Sequence, residues 1–162
     1  MKGAAVFLGQ VVVGLVKLGV DLNGLWPDHL CYRVETQERY RQMLDRLRQE
    51  AEPLGENIVA GRPIATFRLH QPVRAAGYAV DVLELPAPKA GSSYREGFEH
   101  AEFVVPVDLE TFMGRHPHLD WDTTGLGKAH NPELRLRLGA ANAKFHRTPL
   151  ADLVASERGA QA

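Results

Sequence analysis

Phe98-Glu99-His100-Ala101-Glu102-Phe103-Val104-Val105 reads as a β-strand with two unlike faces. Side chains alternate along a strand, so Phe103 and Val105 point one way and His100 and Glu102 the other. The first face needs an apolar partner. The second carries groups that bind cations or move protons. The segment before it, Pro86–Gly97, is rich in Pro, Gly and Ser and reads as a linker. Outward from this strand, in both directions, the chain falls into two units of the same layout.

The first unit opens with a strand over His29–Glu35, placing Leu30, Tyr32 and Val34 on one face and His29, Cys31 and Arg33 on the other. A helix over Thr36–Glu50 follows, with Thr36 as N-cap and Tyr40, Met43, Leu44 and Leu47 as its apolar stripe. Pro53 and Gly55 are read as closing it. Strands are expected over Asn57–Ala60, Ile64–His70 and Tyr78–Leu85. The second unit repeats the order: strand Phe98–Val105, a short helix Asp108–Arg115 capped by Asp108, a weakly patterned strand in His118–Thr124, the strictly alternating Glu133–Leu138, and Ala141–His146. Leu150–Ser156 reads as a final helix. The repeat is architectural, not one of sequence. The expected fold is α+β: two βαβββ modules forming a curved mixed sheet around a polar cup, with helices on the outer face. One domain of 1–162 results, with an N-terminal helical segment (1–27), the modules at 28–86 and 98–147, and a C-terminal helix and tail (148–162).

With 44% apolar and 24% charged residues over 162 positions, the chain can bury its own core. A formal net charge of −1 excludes nucleic-acid binding by bulk charge. The single cysteine, Cys31, excludes an internal disulfide framework and favours a reducing, cytoplasmic location. Lys2 followed by Ala4–Val16 resembles the start of a secretory signal. Gln10 and Lys17 interrupt that run, it is too short to span a bilayer, and no small-residue cleavage site precedes Asp21–Pro27. It reads instead as an apolar helix, with Phe7, Val11, Leu15 and Leu18 on the face that docks on the body or on a second subunit. A monomer or homodimer without a membrane role is expected.

The polar strand face is the informative one. It carries His29, Arg33, Arg68, His70, Glu84, His100, Glu102, Arg135, Arg137, Lys144 and His146. A plain solvated face would favour Lys, Glu, Thr and Ser; recurring histidine and arginine point to an enclosed site. Each unit offers a ligand-type residue on its first and last strands. Two histidines and a carboxylate suit a non-haem iron triad, whereas three histidines and a glutamate suit zinc or nickel equally well.

Asp28-His29-Leu30-Cys31-Tyr32-Arg33-Val34, Leu83-Glu84-Leu85 and Phe98-Glu99-His100-Ala101-Glu102 resemble the strand motifs of the vicinal-oxygen-chelate superfamily of glyoxalases, extradiol dioxygenases and bleomycin-resistance proteins. Within it the chain is similar to YecM-type proteins from about His29 to Glu157, through Glu56–Ile64, Phe67–Pro72, Gly97–His100, Lys144–His146 and Leu153–Glu157. The resemblance implies a divalent metal ion (Fe, Mn, Ni, Co or Zn) held by His29, Glu84 and His100. The superfamily usually places a glutamate on its last strand; here that strand offers His146, which either replaces the carboxylate or leaves three protein ligands. A bound metal would act as a Lewis acid on two substrate oxygens, stabilising an enolate, or bind O₂. Glu102 is the candidate general base or a residue orienting His100. Arg33, Arg68, Arg135, Arg137 and Lys144 are the candidate binders of a small anionic molecule. The expected function is a metal-dependent lyase, isomerase or dioxygenase acting on a small anionic oxygen compound. The alternatives are a sequestering protein of the bleomycin-resistance type, and a regulatory partner that docks through the N-terminal helix.

Overall fold

The computed structural model describes residues 1–161; Ala162, the end of the expected C-terminal tail, lies outside the described residues. The elements are α1 (Ala4–Lys17), β1 (Trp26–Arg33), α2 (Gln37–Glu50), β2 (Ala51–Val59), β3 (Arg62–Ala75), β4 (Tyr78–Pro86), β5 (Gly97–Val104), α3 (Leu109–Gly114), a 3-10 turn (Thr124–Gly127), β6 (Leu134–Leu138), β7 (Ala141–His146) and α4 (Leu150–Gln161). The strands form one seven-stranded sheet in the order β2-β3-β4-β1-β5-β7-β6. β1 runs parallel to β4, β5 runs parallel to β7, and the remaining pairs are antiparallel. This is the α+β mixed sheet expected from the strand patterns.

Local chemistry explains the helix starts. The Thr36 side chain accepts the Arg39 amide hydrogen at 3.1 Å and Asp108 accepts that of Thr111 at 2.7 Å, so each satisfies an orphan donor of a first turn. Tyr40, Met43, Leu44 and Leu47 of α2 are buried as their spacing requires. The buried seam of α1 is Ala4, Leu8, Val11, Val12 and Leu15. It is rotated slightly from the expected face: Phe7 is only partly buried and Leu18 is exposed at the helix end. α1 packs on β3, β5 and β7, with Phe7 stacked on Phe98 at 5.4 Å. No described helix is long and apolar enough to cross a membrane.

Three local expectations differ. α2 passes directly into β2, so Pro53 and Gly55 lie inside that strand at a register shift instead of ending the helix. β2 is a sheet edge, where a missing proline N–H is tolerated. The expected strand in His118–Thr124 reduces to a single bridge between Asp122 and Arg135. Asp122 instead turns the chain by accepting the Thr124 amide and hydroxyl hydrogens at 3.0 and 2.6 Å. Finally, α4 does not join the outer helical layer. Its Leu150, Leu153 and Val154 line the cup, and Val154 is buried against Gly55 of β2. Two further bonds fasten it there: Leu150 N donates to Asp28 Oδ2 at 2.9 Å and Arg158 Nη1 to the Leu54 carbonyl at 2.8 Å.

Candidate metal centre

Strand register builds the centre. On β1 and β5, His29 faces Glu102 and Cys31 faces His100. On the outer neighbours, Glu84 of β4 stands beside Cys31, and Lys144 of β7 stands beside Glu102. His29, His100, Glu102 and His146 are all buried on this face. The apolar residues between them, Leu30, Leu83, Ala101 and Ala143, turn to the opposite side and enter the core. One period-two alternation therefore makes both the core and the site.

The three histidines share a feature. Nδ1 of His29 bonds Asp28 Oδ2 at 2.8 Å, Nδ1 of His100 bonds Glu99 Oε2 at 3.1 Å, and Nδ1 of His146 bonds the Thr148 carbonyl at 2.8 Å. A nitrogen facing an acceptor oxygen donates, which fixes the tautomer and leaves Nε2 as the lone pair when the ring is neutral. All three Nε2 atoms are buried without a hydrogen bond. An orphaned buried polar atom is costly, and here three converge. His100 Nε2 lies 3.0 Å from Glu102 Oε1 and 3.7 Å from Glu84 Oε2; His29 Nε2 lies 3.5 Å from Glu102 Oε1. Ligands about 2.1 Å from one divalent ion stand roughly 3.0–3.4 Å apart along a coordination edge. Of these contacts the His100–Glu102 one matches that edge and the other two are a few tenths of an ångström longer. One ligand atom each of His29, Glu84, His100 and Glu102 lies within 4.8 Å of the others. His146 adjoins this group instead of completing it. Its Nε2 is 3.5 Å from both Asp28 Oδ2 and Glu102 Oε2, and it clusters with Asp28 and His29.

The charges interlock. Burial alone would raise the Glu102 carboxyl, but Lys144, His29 and the His100 contact hold it well below its ordinary value. Burial opposes a charge on His29, yet Glu102 and Asp28 outweigh it and push its pKa up to about 10. Burial would likewise lower Lys144, which Glu102, Glu133 and Glu84 drive upward. Burial lowers His146, and the His29 charge adds to that. The Cys31 thiol is pushed far up by burial and by Glu84, which keeps it protonated.

The expected anion binders separate. Arg33 and Lys144 line the central cavity of about 270 Å³, and Arg33, Arg135 and Lys144 line an adjoining one of about 300 Å³. Arg33 gives Nε to Glu99, while its Nη1 is buried and unpartnered. Arg135 is committed to Asp122. Arg68 pairs with Asp81 at 3.0 Å in a solvent-exposed contact away from the cavity, and Arg137 borders a separate cleft near Leu18 and Trp121. His70 is exposed, in the stretch of β3 where its pairing with β4 is interrupted. Sequence reasoning assigned no role to Asp28, Glu99 or Glu133. For the first two the signal was present: an acid precedes His29 and another precedes His100. Glu133 had no such signal. It is set in the cavity wall by the bare Gly125 backbone beneath it and pairs with Lys128 at 2.9 Å and Lys144 at 3.4 Å.

Paired βαβ-type units flanking a cup, with the inner strands β1 and β5 side by side, define the vicinal-oxygen-chelate fold. A putative dioxygenase from Bacillus subtilis subsp. subtilis str. 168 shares it, with a TM-score of 0.51 at 11% identity over 77% of this chain and 41% of that one. The family model of the YecM protein matches residues 1–124, and the chain belongs to that family. It is 34% identical to Protein YecM of Escherichia coli (strain K12) over 89% of this chain and 85% of that protein. The solved structure of Protein EC4020 superposes with a TM-score of 0.75 at 32% identity, covering 91% of this chain and 85% of that one.

Proposed function

We propose that the cup binds one divalent metal ion through His29, Glu84, His100 and Glu102, and that a small oxygen-bearing anion binds beside it. The observation that carries this reading is the set of buried histidine Nε2 atoms, aimed inward by Nδ1 bonds and lacking hydrogen bonds of their own. Two histidines with two carboxylates suit Fe(II), Mn, Ni, Co or Zn. Such an ion would supply Lewis-acid activation of substrate oxygens. The residues of this chain do the rest. Asp28 and Glu99 orient the imidazoles, Lys144 holds Glu102 in its ionised form, and Arg33 Nη1 offers a free donor to an anion. Glu102, the candidate general base in the sequence, sits 3.0 Å from His100 Nε2, and that position favours a ligand role. Glu133 is the carboxylate that lines both cavities. A lyase, isomerase or dioxygenase reaction on a small anion is the corresponding activity.

Elemental mass spectrometry on untagged protein purified without chelator tests the reading, alongside a His29→Ala, His100→Ala double variant. Near-stoichiometric metal in the first and none in the second is expected. A wild-type chain that carries no metal and cannot be loaded with any of the five ions would overturn it.

A further inference from the structure

The two halves of the cup are related by an approximate dyad between β1 and β5. Across that antiparallel pair His29 faces Glu102 and Cys31 faces His100, a register that maps onto itself when His29 exchanges with His100 and Cys31 with Glu102. The parallel neighbours obey the same exchange, because Glu84 stands beside Cys31 and Lys144 beside Glu102. Asp28 and Glu99, which bond the two Nδ1 atoms, are mates as well. The mate of Glu84 is therefore Lys144. Where a symmetric cup would place a second carboxylate, this chain places an ammonium. Its second carboxylate stands at Glu102, the mate of Cys31.

Lys144 Nζ lies 3.0 Å from Glu102 Oε1 and 3.4 Å from Glu133 Oε1. An ammonium has three N–H donors, so the two carboxylates leave one over. Lys144 lines both cavities, as does Arg33, whose Nη1 is buried without a partner. Two cationic groups with donors to spare thus border the space next to His100. Resting on the metal reading above, we propose that Lys144 determines specificity: it replaces a protein carboxylate at the ion with a cationic donor for the substrate. The substrate class is a small carboxylate with an adjacent oxygen, a 2-oxo or 2-hydroxy acid. One of its oxygens faces the His100–Glu84 side, and its charge meets Lys144 and Arg33. Cavities of about 270 and 300 Å³ suit such a small molecule.

Oxalate, with two adjacent carboxylates, is the probe, added to the Co(II)-loaded full-length protein, with titration calorimetry and the visible Co(II) spectrum as readouts. The wild type is expected to take Co(II) and then oxalate. Lys144→Met should still take up Co(II), more weakly because Glu102 loses its ammonium partner. Once saturated with Co(II) it should bind oxalate roughly 10–100-fold more weakly, the loss that follows removal of a hydrogen bond to a charged group. Lys144→Glu should restore the symmetric carboxylate, hold Co(II) more tightly and lose oxalate. Unchanged oxalate affinity in a Co(II)-loaded Lys144→Met protein overturns this inference alone. Complete loss of Co(II) from Lys144→Met also overturns it, because the lysine would then serve only to position Glu102. A wild type that takes up no Co(II) overturns the metal reading and this inference together. If Lys144→Glu does not fold, the Lys144→Met comparison decides.

Discussion

Gly55→Ala should lift α4 from the mouth of the cup. A Cβ at Gly55 would stand 2.6 Å from Val154 Cγ1 and 3.7 Å from Arg158 Cδ. Comfortable carbon–carbon contact is about 3.5–4.0 Å, so the new methyl is about 1 Å too close to Val154. Val154 is 2% exposed, and a valine in a helix has essentially one χ1 rotamer, so it cannot swing aside. The helix must move. Overpacking of this kind costs about 1–3 kcal/mol, and alanine recovers about 0.5–1 kcal/mol over glycine within a strand. The net destabilisation is then up to about 2.5 kcal/mol and centred near ~1 kcal/mol, a fall in Tm of roughly 2–4 °C at the centre for a chain of this length. Thermal melts read the global effect, and native-state hydrogen exchange of the α4 amides reads the local one. Val154→Ala alone removes two methyl groups, about 1.5 kcal/mol of burial. In the double variant the alanine methyl fills the vacated space, so the double should be more stable than the sum of the singles by about 1 kcal/mol. Full stability with unchanged α4 exchange in Gly55→Ala, or strict additivity in the double variant, would refute this packing argument.

Asp28→Asn removes the charged acceptor that orients His29 and also holds the Leu150 amide, so metal affinity measured against a competing chelator should fall about 10–100-fold. Gly125→Ala should disturb the cavity wall, because the added Cβ would meet Glu133 Cγ at 2.5 Å and the Glu133 carbonyl oxygen at 2.6 Å. Backbone cannot yield cheaply there, and a loss of about 1–3 kcal/mol in urea denaturation is expected. Glu96 ties the inter-unit linker to α2 and β1 through Arg39 at 2.7 Å and the Tyr32 hydroxyl at 3.2 Å, and its pKa is lowered chiefly by the Arg39 hydrogen bond. A depressed carboxyl stabilises the fold above its unfolded pKa and loses that contribution as pH falls through the folded one. Wild type should therefore exceed Glu96→Gln in stability at pH 7, and the gap should close below about pH 4.5; a gap independent of pH would refute the assignment.

How far the sequence could be read depended on the range of the interaction. Glu99-His100-Ala101-Glu102 was legible because alternation is local: Ala101 entered the core and His100 and Glu102 the cup. The same rule misplaced Arg68 and Arg137. Both occupy the right face by parity, but parity does not say how far along a strand the cup extends, and Asp81 draws Arg68 outward. Alternation also could not show that His118–Thr124 fails to pair, because Asp122 and Thr124 satisfy each other locally and end the strand at one bridge. The sequence marked Leu150–Ser156 as a helix but not the side of the sheet that it packs on. Which side of the sheet received it was set by Gly55, about a hundred residues earlier, whose missing side chain makes room on the cup side.

The electrostatics of the cup support the metal reading proposed above. Asp28 and Glu102 are buried, and Glu84 lies 3.7 Å from a buried histidine, so negative charge is concentrated where water is scarce. Buried carboxylates must be paired, because the desolvation cost of a lone one is several kcal/mol. The charge of Arg33 is matched by Glu99 and that of Lys144 by Glu102 and Glu133, although each keeps a spare N–H donor. The balance falls on the histidines. Glu102 and Asp28 raise the His29 pKa despite its burial, while burial lowers that of His146 and the His29 ring, 5.8 Å away between centroids, adds to the effect. A proton on His29 is thus the minimal cation of this site. A divalent ion would do the same work for Glu84, Glu102, His29 and His100 at once, and would convert their orphaned Nε2 atoms from a cost into ligand bonds.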